Sequence, residues 1–177
     1  MDSLPAFMHA SALALVVLAL AGLAGCGTPV GVSRIDPRQV HRDLTATVLS
    51  TGEPSQWTRN VLYQQDLERR FDDDPAGALA ELHEVVVDGW GGQDEIFALA
   101  ELSFLHAENS GDRAHYLAAV VYAAAFILPA DPEKRPPALD PRRRTAADLY
   151  NRGLTEGLAT PNGEDFLPAA GAYPLPF

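Results

Sequence analysis

The chain predicts an all-α fold of roughly six helices, arranged as helical hairpins, and three observations carry that reading. Asp-Pro recurs at Asp36-Pro37, Asp74-Pro75 and Asp140-Pro141. Each pair sets an N-cap acceptor before a residue whose missing N–H is harmless at the first helical position. Glycine or proline closes the runs of helical length, at Gly52, Gly89, Gly111 and Pro129, the expected stop signals. Between these marks apolar residues recur at near-helical spacing.

Taken in order, residues 10–23 come first, an uncharged run of small and aliphatic side chains. It is shorter than the roughly 20 apolar residues a bilayer span needs. Residues 26–35 read as a short tether. A first helix is expected over 37–49, ending at Thr51-Gly52-Glu53-Pro54. Ser55 caps a second, in which Trp57, Val61, Leu67 and Phe71 fall at near-helical spacing, and the acidic turn Asp72-Asp73-Asp74 ends it. A third runs over 75–88, and Gly89-Trp90-Gly91-Gly92 breaks the chain. The fourth, over 94–109, carries Phe97, Leu102, Phe104 and Leu105 inward, with Asp94, Glu101 and Glu108 spaced by sevens on one face.

The fifth helix, over 115–128, holds no formal charge. A helix apolar all round is buried, so it is expected at the centre of the core. Residues 129–139 are a Pro-rich connector expected to be non-helical. The last helix spans 141–158, with Ala146, Leu149, Tyr150 and Leu154 as its buried stripe. Beyond it, Pro161, Pro168, Pro174 and Pro176 make an irregular tail over 159–177. Ala78-Leu79-Ala80-Glu81-Leu82 recurs as Ala98-Leu99-Ala100-Glu101-Leu102. That offset is one helix plus a loop, short of the roughly 33 residues of a two-helix solenoid repeat, so any tetratricopeptide-like character is weak.

Composition narrows the function. The net charge is −11, which argues against nucleic-acid binding. A single cysteine leaves no internal disulfide to form. No serine sits in a G-x-S-x-G setting. His83-Glu84 begins a zincin-like H-E-x-x-H, but Val87 stands where the second histidine belongs, so His83 reads as a solvated-face residue. Asp72 to Gly77 faintly suggests a calcium loop, but His83 stands where the closing acid belongs, and the segment reads as a helix-capping turn. His41, His106 and His115 lie on separate expected helices. Arg142-Arg143-Arg144 occupies a helix N-terminus, where positive charge is disfavoured. It reads as exposed arginines, with Arg144 pairing to Asp148, or as a site for an acidic partner or lipid headgroups. No catalytic residue, cofactor site or metal site is expected.

Leu23-Ala24-Gly25-Cys26, closing the apolar run, resembles the lipobox of bacterial lipoproteins. The resemblance implies a signal peptide over residues 1–25 and lipidation of Cys26, which becomes the first residue after cleavage and binds a membrane through its lipid. Two or more acyl chains hold a protein firmly where one does not. Residues 1–10 contain no Lys or Arg, a departure from the positive n-region of such signals. Gly27 after the cysteine resembles an outer-membrane address in a diderm envelope.

Further phrases, Val48-Leu49-Ser50-Thr51-Gly52, Phe97 to Leu102, Tyr116-Leu117-Ala118-Ala119 through Phe126, and Ala147-Asp148-Leu149-Tyr150-Asn151, are similar to the N-terminal helical region of bacterial lipoproteins whose C-terminal part is an α/β-hydrolase domain. In that family the chain continues past the segment resembling residues 172–177. The resemblance implies a helical domain over 36–158, non-catalytic and truncated or split from an esterase/lipase-like part. The other expectation is a self-standing envelope lipoprotein that binds a protein partner through helix-pair grooves.

Overall fold

The computed structural model describes residues 36–38, 40, 46–160 and 172–177. Two units divide the chain after Val40. In the first, the Asp36 carboxylate accepts the Arg38 N–H at 3.0 Å, and the Val40 N–H bonds the Asp36 carbonyl. Pro37, Arg38 and Val40 are helical, as the Asp-Pro signal predicts.

The second unit is all-α. Its described residues form α1 (Val48–Thr51), α2 (Gln56–Gln64), α3 (Glu68–Asp73), α4 (Pro75–Val87), α5 (Gln93–Ser110), α6 (Arg113–Ile127), a 3-10 turn (Pro132–Lys134) and α7 (Arg142–Leu158). No helix among the described residues is long and apolar enough to cross a membrane.

The caps follow the sequence signals. Ser55 accepts the Thr58 N–H at the start of α2. Asp74 accepts the Gly77 N–H, 3.1 Å away, at the start of α4. Asp112 accepts the Ala114 N–H before α6, and Asp140 accepts the Arg142 N–H before α7. Asp131-Pro132 repeats the device, with Asp131 capping the 3-10 turn inside the connector expected to lack helix. Gly52 and Gly111 close α1 and α5 in the left-handed region, at φ 70° and 72°.

Two expected helices are interrupted. The one over 37–49 does not run through, because Ala46 and Thr47 lie outside helical geometry. Thr47 is extended, and its N–H bonds the Ser50 hydroxyl, a local side-chain bond that competes with helix continuation. The second helix splits into α2 and α3 at Asp66, whose φ is 55°. Asp66 N–H bonds the Tyr63 carbonyl and Leu67 N–H bonds the Leu62 carbonyl. That 5→2 and 6→1 pair is a Schellman closure, with Asp where glycine is usual and Leu67 buried behind it.

The core is organised around α5, not α6 as its lack of charge predicts. Nine consecutive residues of α5, 97–105, are buried, and the helix packs on α2, α4, α6 and α7. On α6 Val121 remains exposed, as does Leu128, which caps the helix. An uncharged helix can leave apolar side chains in water, whereas the middle of a helix with four neighbours is covered on every side.

Packing sets the directions. Phe97 at the start of α5 meets Phe126 at the end of α6, and Glu108 near the end of α5 accepts the Tyr116 hydroxyl near the start of α6. Arg113 at the start of α6 donates to the Gly157 carbonyl near the end of α7. The three helices therefore run up, down and up. The buried stripe of α7 is Thr145, Ala146, Leu149, Gly153 and Gly157, and Tyr150 is partly exposed. A side chain on Gly153 would place its Cβ 2.9 Å from the Tyr116 carbonyl oxygen, so only glycine lets α6 and α7 approach this closely.

Glu101 is fully buried, with a relative exposure of 0%. Its Oε2 accepts the Ser55 N–H at 3.1 Å and the Thr58 hydroxyl at 2.6 Å. Oε1 has no partner. A buried carboxylate resists ionisation, and burial holds this carboxyl above its ordinary range against the two donors and Arg59.

Two predictions arise from this packing. Gly153→Ala gains about 1 kcal/mol of helix propensity but forces a clash with backbone that costs about 1–3 kcal/mol. Chemical denaturation should show net destabilisation. At Gly157 the nearest obstacle is the flexible Leu117 side chain, so Gly157→Ala should be much milder. Because the folded pKa of Glu101 is raised, its stabilising share is full below the ordinary value of 4.5. That share declines as pH rises from there through the folded pKa. Glu101→Gln keeps an acceptor for Ser55 and Thr58, and its denaturation free energy should lack that decline.

Candidate functional site

Two histidines, His106 and His115, meet at the join of α5 and α6, and the Phe177 ring links His115 to a third, His83. His83 lies on α4, His106 on α5 and His115 on α6. His83 is half-buried and not on a solvated face as its sequence context suggests. Its Nδ1 shares a hydrogen bond of 2.6 Å with the Tyr122 hydroxyl. Burial of that phenol pushes its pKa up to about 12. His115 Nδ1–H donates to Asp112 Oδ2 at 2.8 Å, and the His106 and His115 rings meet edge-on with centroids 4.3 Å apart.

The electrostatics of the cluster disfavour a second positive charge. Burial and the neighbouring His115 lower the pKa of His106, against the pull of Asp112 and Asp74. At Asp112 burial pushes upward, but the Ala114 N–H and His115 outweigh it and hold the carboxyl below its usual range. His115 is thereby oriented by a carboxylate, as a general base is. Catalysis would also need a nucleophile within reach, and no serine or cysteine among the described residues is hydrogen-bonded to these imidazoles. Among the described residues no group of three His, Cys, Asp or Glu side chains is arranged to hold a metal ion.

Phe177, 36% exposed, lies against His83, His115 and Tyr122. Its ring stacks on His83 at 5.0 Å and 20°. It meets His115 edge-on at 5.9 Å and lies tilted against Tyr122 at 6.2 Å. The tail residues 172–177 thus return to the helical unit, and His83, Tyr122 and His115 form an aromatic socket for Phe177. Ring pairs at these separations contribute about 0.5–1.5 kcal/mol each beyond area burial. No local signal marks the socket, because its walls come from α4 and α6, about forty residues apart in the chain. The apolar character of residues 173–177 is its only trace in the sequence.

The remaining candidates separate. Leu23, Ala24, Gly25 and Cys26, with His41, lie outside the described residues. The three arginines of α7 divide. Arg142 is drawn into the structure, paired with Asp140 at 2.8 Å and with Asp94, and its guanidinium lies 5.2 Å from the Phe126 ring centroid and 5.7 Å from that of Phe97. The expected Arg144–Asp148 ion pair is not among those of the described residues, where Arg142 is the paired arginine of this turn. Asp94, Glu101 and Glu108, the carboxylates spaced by sevens, reach Arg142, Ser55 with Thr58, and Tyr116 with Arg152 respectively.

No protein-family model matches the chain. No curated protein matches it, and no solved structure does.

The socket makes a spectroscopic prediction. Stacked over His83, the Phe177 ring shields the imidazole protons. In Phe177→Ala, proton NMR should show the His83 ring signals moving downfield, with those of His106 moving less. Unchanged His83 signals would mean that Phe177 does not occupy the socket in solution.

Proposed function

We propose that this chain is a membrane-anchored envelope lipoprotein whose helical unit is a non-catalytic module of an α/β-hydrolase-type lipoprotein. Leu23-Ala24-Gly25-Cys26 supports the anchor, because its order of apolar run, small residues and cysteine is that of a lipid-attachment signal. Lipid on Cys26 then supplies the hold on the membrane, at the outer membrane where the envelope is diderm.

The observation that carries the module reading is the seat for Phe177. In the family the chain resembles, the segment similar to residues 172–177 leads on towards the hydrolase domain. Here the helical unit holds that segment against His83, Tyr122 and His115. Such a seat would fix where a domain carried on that segment lies, or receive one made separately. An oriented imidazole with no nucleophile bonded to it among the described residues supports positioning rather than turnover.

The test uses the full chain in a bacterial host fed an alkyne-bearing palmitate. The wild-type protein should take up label and sediment with membranes, and Cys26→Ser should lose both. Purified protein should hydrolyse a short-chain nitrophenyl ester no faster than buffer. Ester turnover abolished by one Ser→Ala change would overturn the non-catalytic reading, and labelling that persists in Cys26→Ser would overturn the anchor.

A further inference from the structure

The five most exposed large apolar residues among the described ones are Leu139, Trp90, Tyr63, Leu128 and Val87, from 95% down to 63%. All but Tyr63 lie at one end of the helical unit, where α4 and α6 finish and α5 and α7 begin. Val87 closes α4 ahead of α5, and Phe126 at the end of α6 meets Phe97 of α5. Arg142, on the first turn of α7, reaches both of those rings. Exposed apolar side chains scattered singly are ordinary, but a group of them at one place marks a surface that meets something else.

Two observations say what covers this end. The first is where the chain enters. Ala46 and Thr47, at the start of the helical unit, share a cleft with Leu139, Asp140 and Pro141 ahead of α7. The segment that leads back to Cys26 therefore joins the unit beside the exposed apolar residues. The second is charge. The chain carries −11, but the charges at this end nearly cancel. Lys134, Arg135, Arg143 and Arg144 stand against Asp88, Glu95, Asp131 and Glu133, and Arg142 takes up Asp94 and Asp140. The acidic turn Asp72-Asp73-Asp74 and Asp112 lie at the opposite end, at the starts of α4 and α6, and an anionic surface would repel them.

We infer that this end of the unit rests on the surface of a lipid bilayer, with Trp90, Leu128 and Leu139 in the interfacial layer. A tryptophan suits that layer because its ring is apolar and its N–H stays wet. The inference rests on the anchor at Cys26 proposed above, which keeps the chain at the membrane. Four apolar side chains make a weak contact alone, and a tether strengthens it by making the contact intramolecular. The start of α6, with His115 of the Phe177 seat, then faces away from the bilayer.

Cys26 is the single cysteine of the chain, so purified full-length protein can be coupled there to maleimide-bearing phosphatidylethanolamine in phosphatidylcholine vesicles. The tether then exists whether or not a cell lipidates Cys26, and failed docking is read separately from failed lipidation. Trp57 and Trp90 are the two tryptophans, so Trp57→Phe leaves Trp90 as the reporter. Phosphatidylcholine brominated near the headgroup end of its acyl chains should quench Trp90 and move its emission to shorter wavelength. A chain carrying Trp57→Phe, Trp90→Phe and Tyr63→Trp should keep its intensity. Leu128→Asp with Leu139→Asp, both at exposed positions, should abolish the quenching of Trp90 with circular dichroism unaltered. Equal quenching of both reporters, or quenching that survives both aspartates, overturns the proposal. So does an unquenched Trp90, and if that chain also sediments as a dimer the end belongs to a second copy instead.

Discussion

Enclosure of the middle of α5, residues 97–105, is the constraint on which the rest of this structure depends. A stretch packed on four other helices has no face on which to leave an unpartnered charge, so a carboxylate within it needs partners from another element. Glu101 carries the heaviest demand, being fully buried. It meets the N-terminus of α2, accepting from the Ser55 N–H and the Thr58 hydroxyl, where the dipole of α2 favours negative charge. Losing one partner of a buried polar contact costs more than the contact contributes net. The register of α2 against α5 is thereby specified as well as stabilised. Asp94 and Glu108 do the same towards α7 at its two ends, through Arg142 and Arg152. Their exposure to water makes those pairs weaker than the buried one.

Enclosure also explains why glycine appears where helix propensity disfavours it. With α5 filling the centre, α6 and α7 must share a narrow space, and Gly153 and Gly157 let their backbones approach. The Arg113 guanidinium then reaches the Gly157 carbonyl, satisfying an acceptor near the helix end that would otherwise face inward unpaired. At the opposite end Arg142 spans α5, α6 and α7, joining two carboxylates to two aromatic faces.

Local chemistry was the legible part. Asp-Pro pairs, the Ser55 cap and the left-handed glycines act over four or five residues, and the observed boundaries of α4, α5, α6 and α7 lie within about two residues of those the chain signals. Reading failed where a local bond competed with an apolar pattern. Trp57, Val61, Leu67 and Phe71 suggest one continuous helix, yet Asp66 takes the left-handed conformation and divides it. Thr47 and Ser50 interrupt the preceding helix by the same kind of competition. The apolar stripe of α7 was legible in part: Ala146 and Leu149 are buried as expected, but glycine carries no hydropathy signal, and Gly153 and Gly157 complete the buried face where Tyr150 and Leu154 were expected.

Sequence alone was enough for the all-α class, the punctuation of the helices, the acidic balance and the absence of a familiar catalytic motif, since each depends on residue type and short-range spacing. Which helix lies at the centre, that His106 meets His115, what Phe177 touches and which arginine is paired were decided by tertiary structure. Those properties depend on residues brought together from distant elements, such as His83 with Tyr122 and Glu101 with Thr58. A hydropathy pattern records that a face is apolar. It does not record how many neighbours will cover it, and that number is what moved the core from α6 to α5.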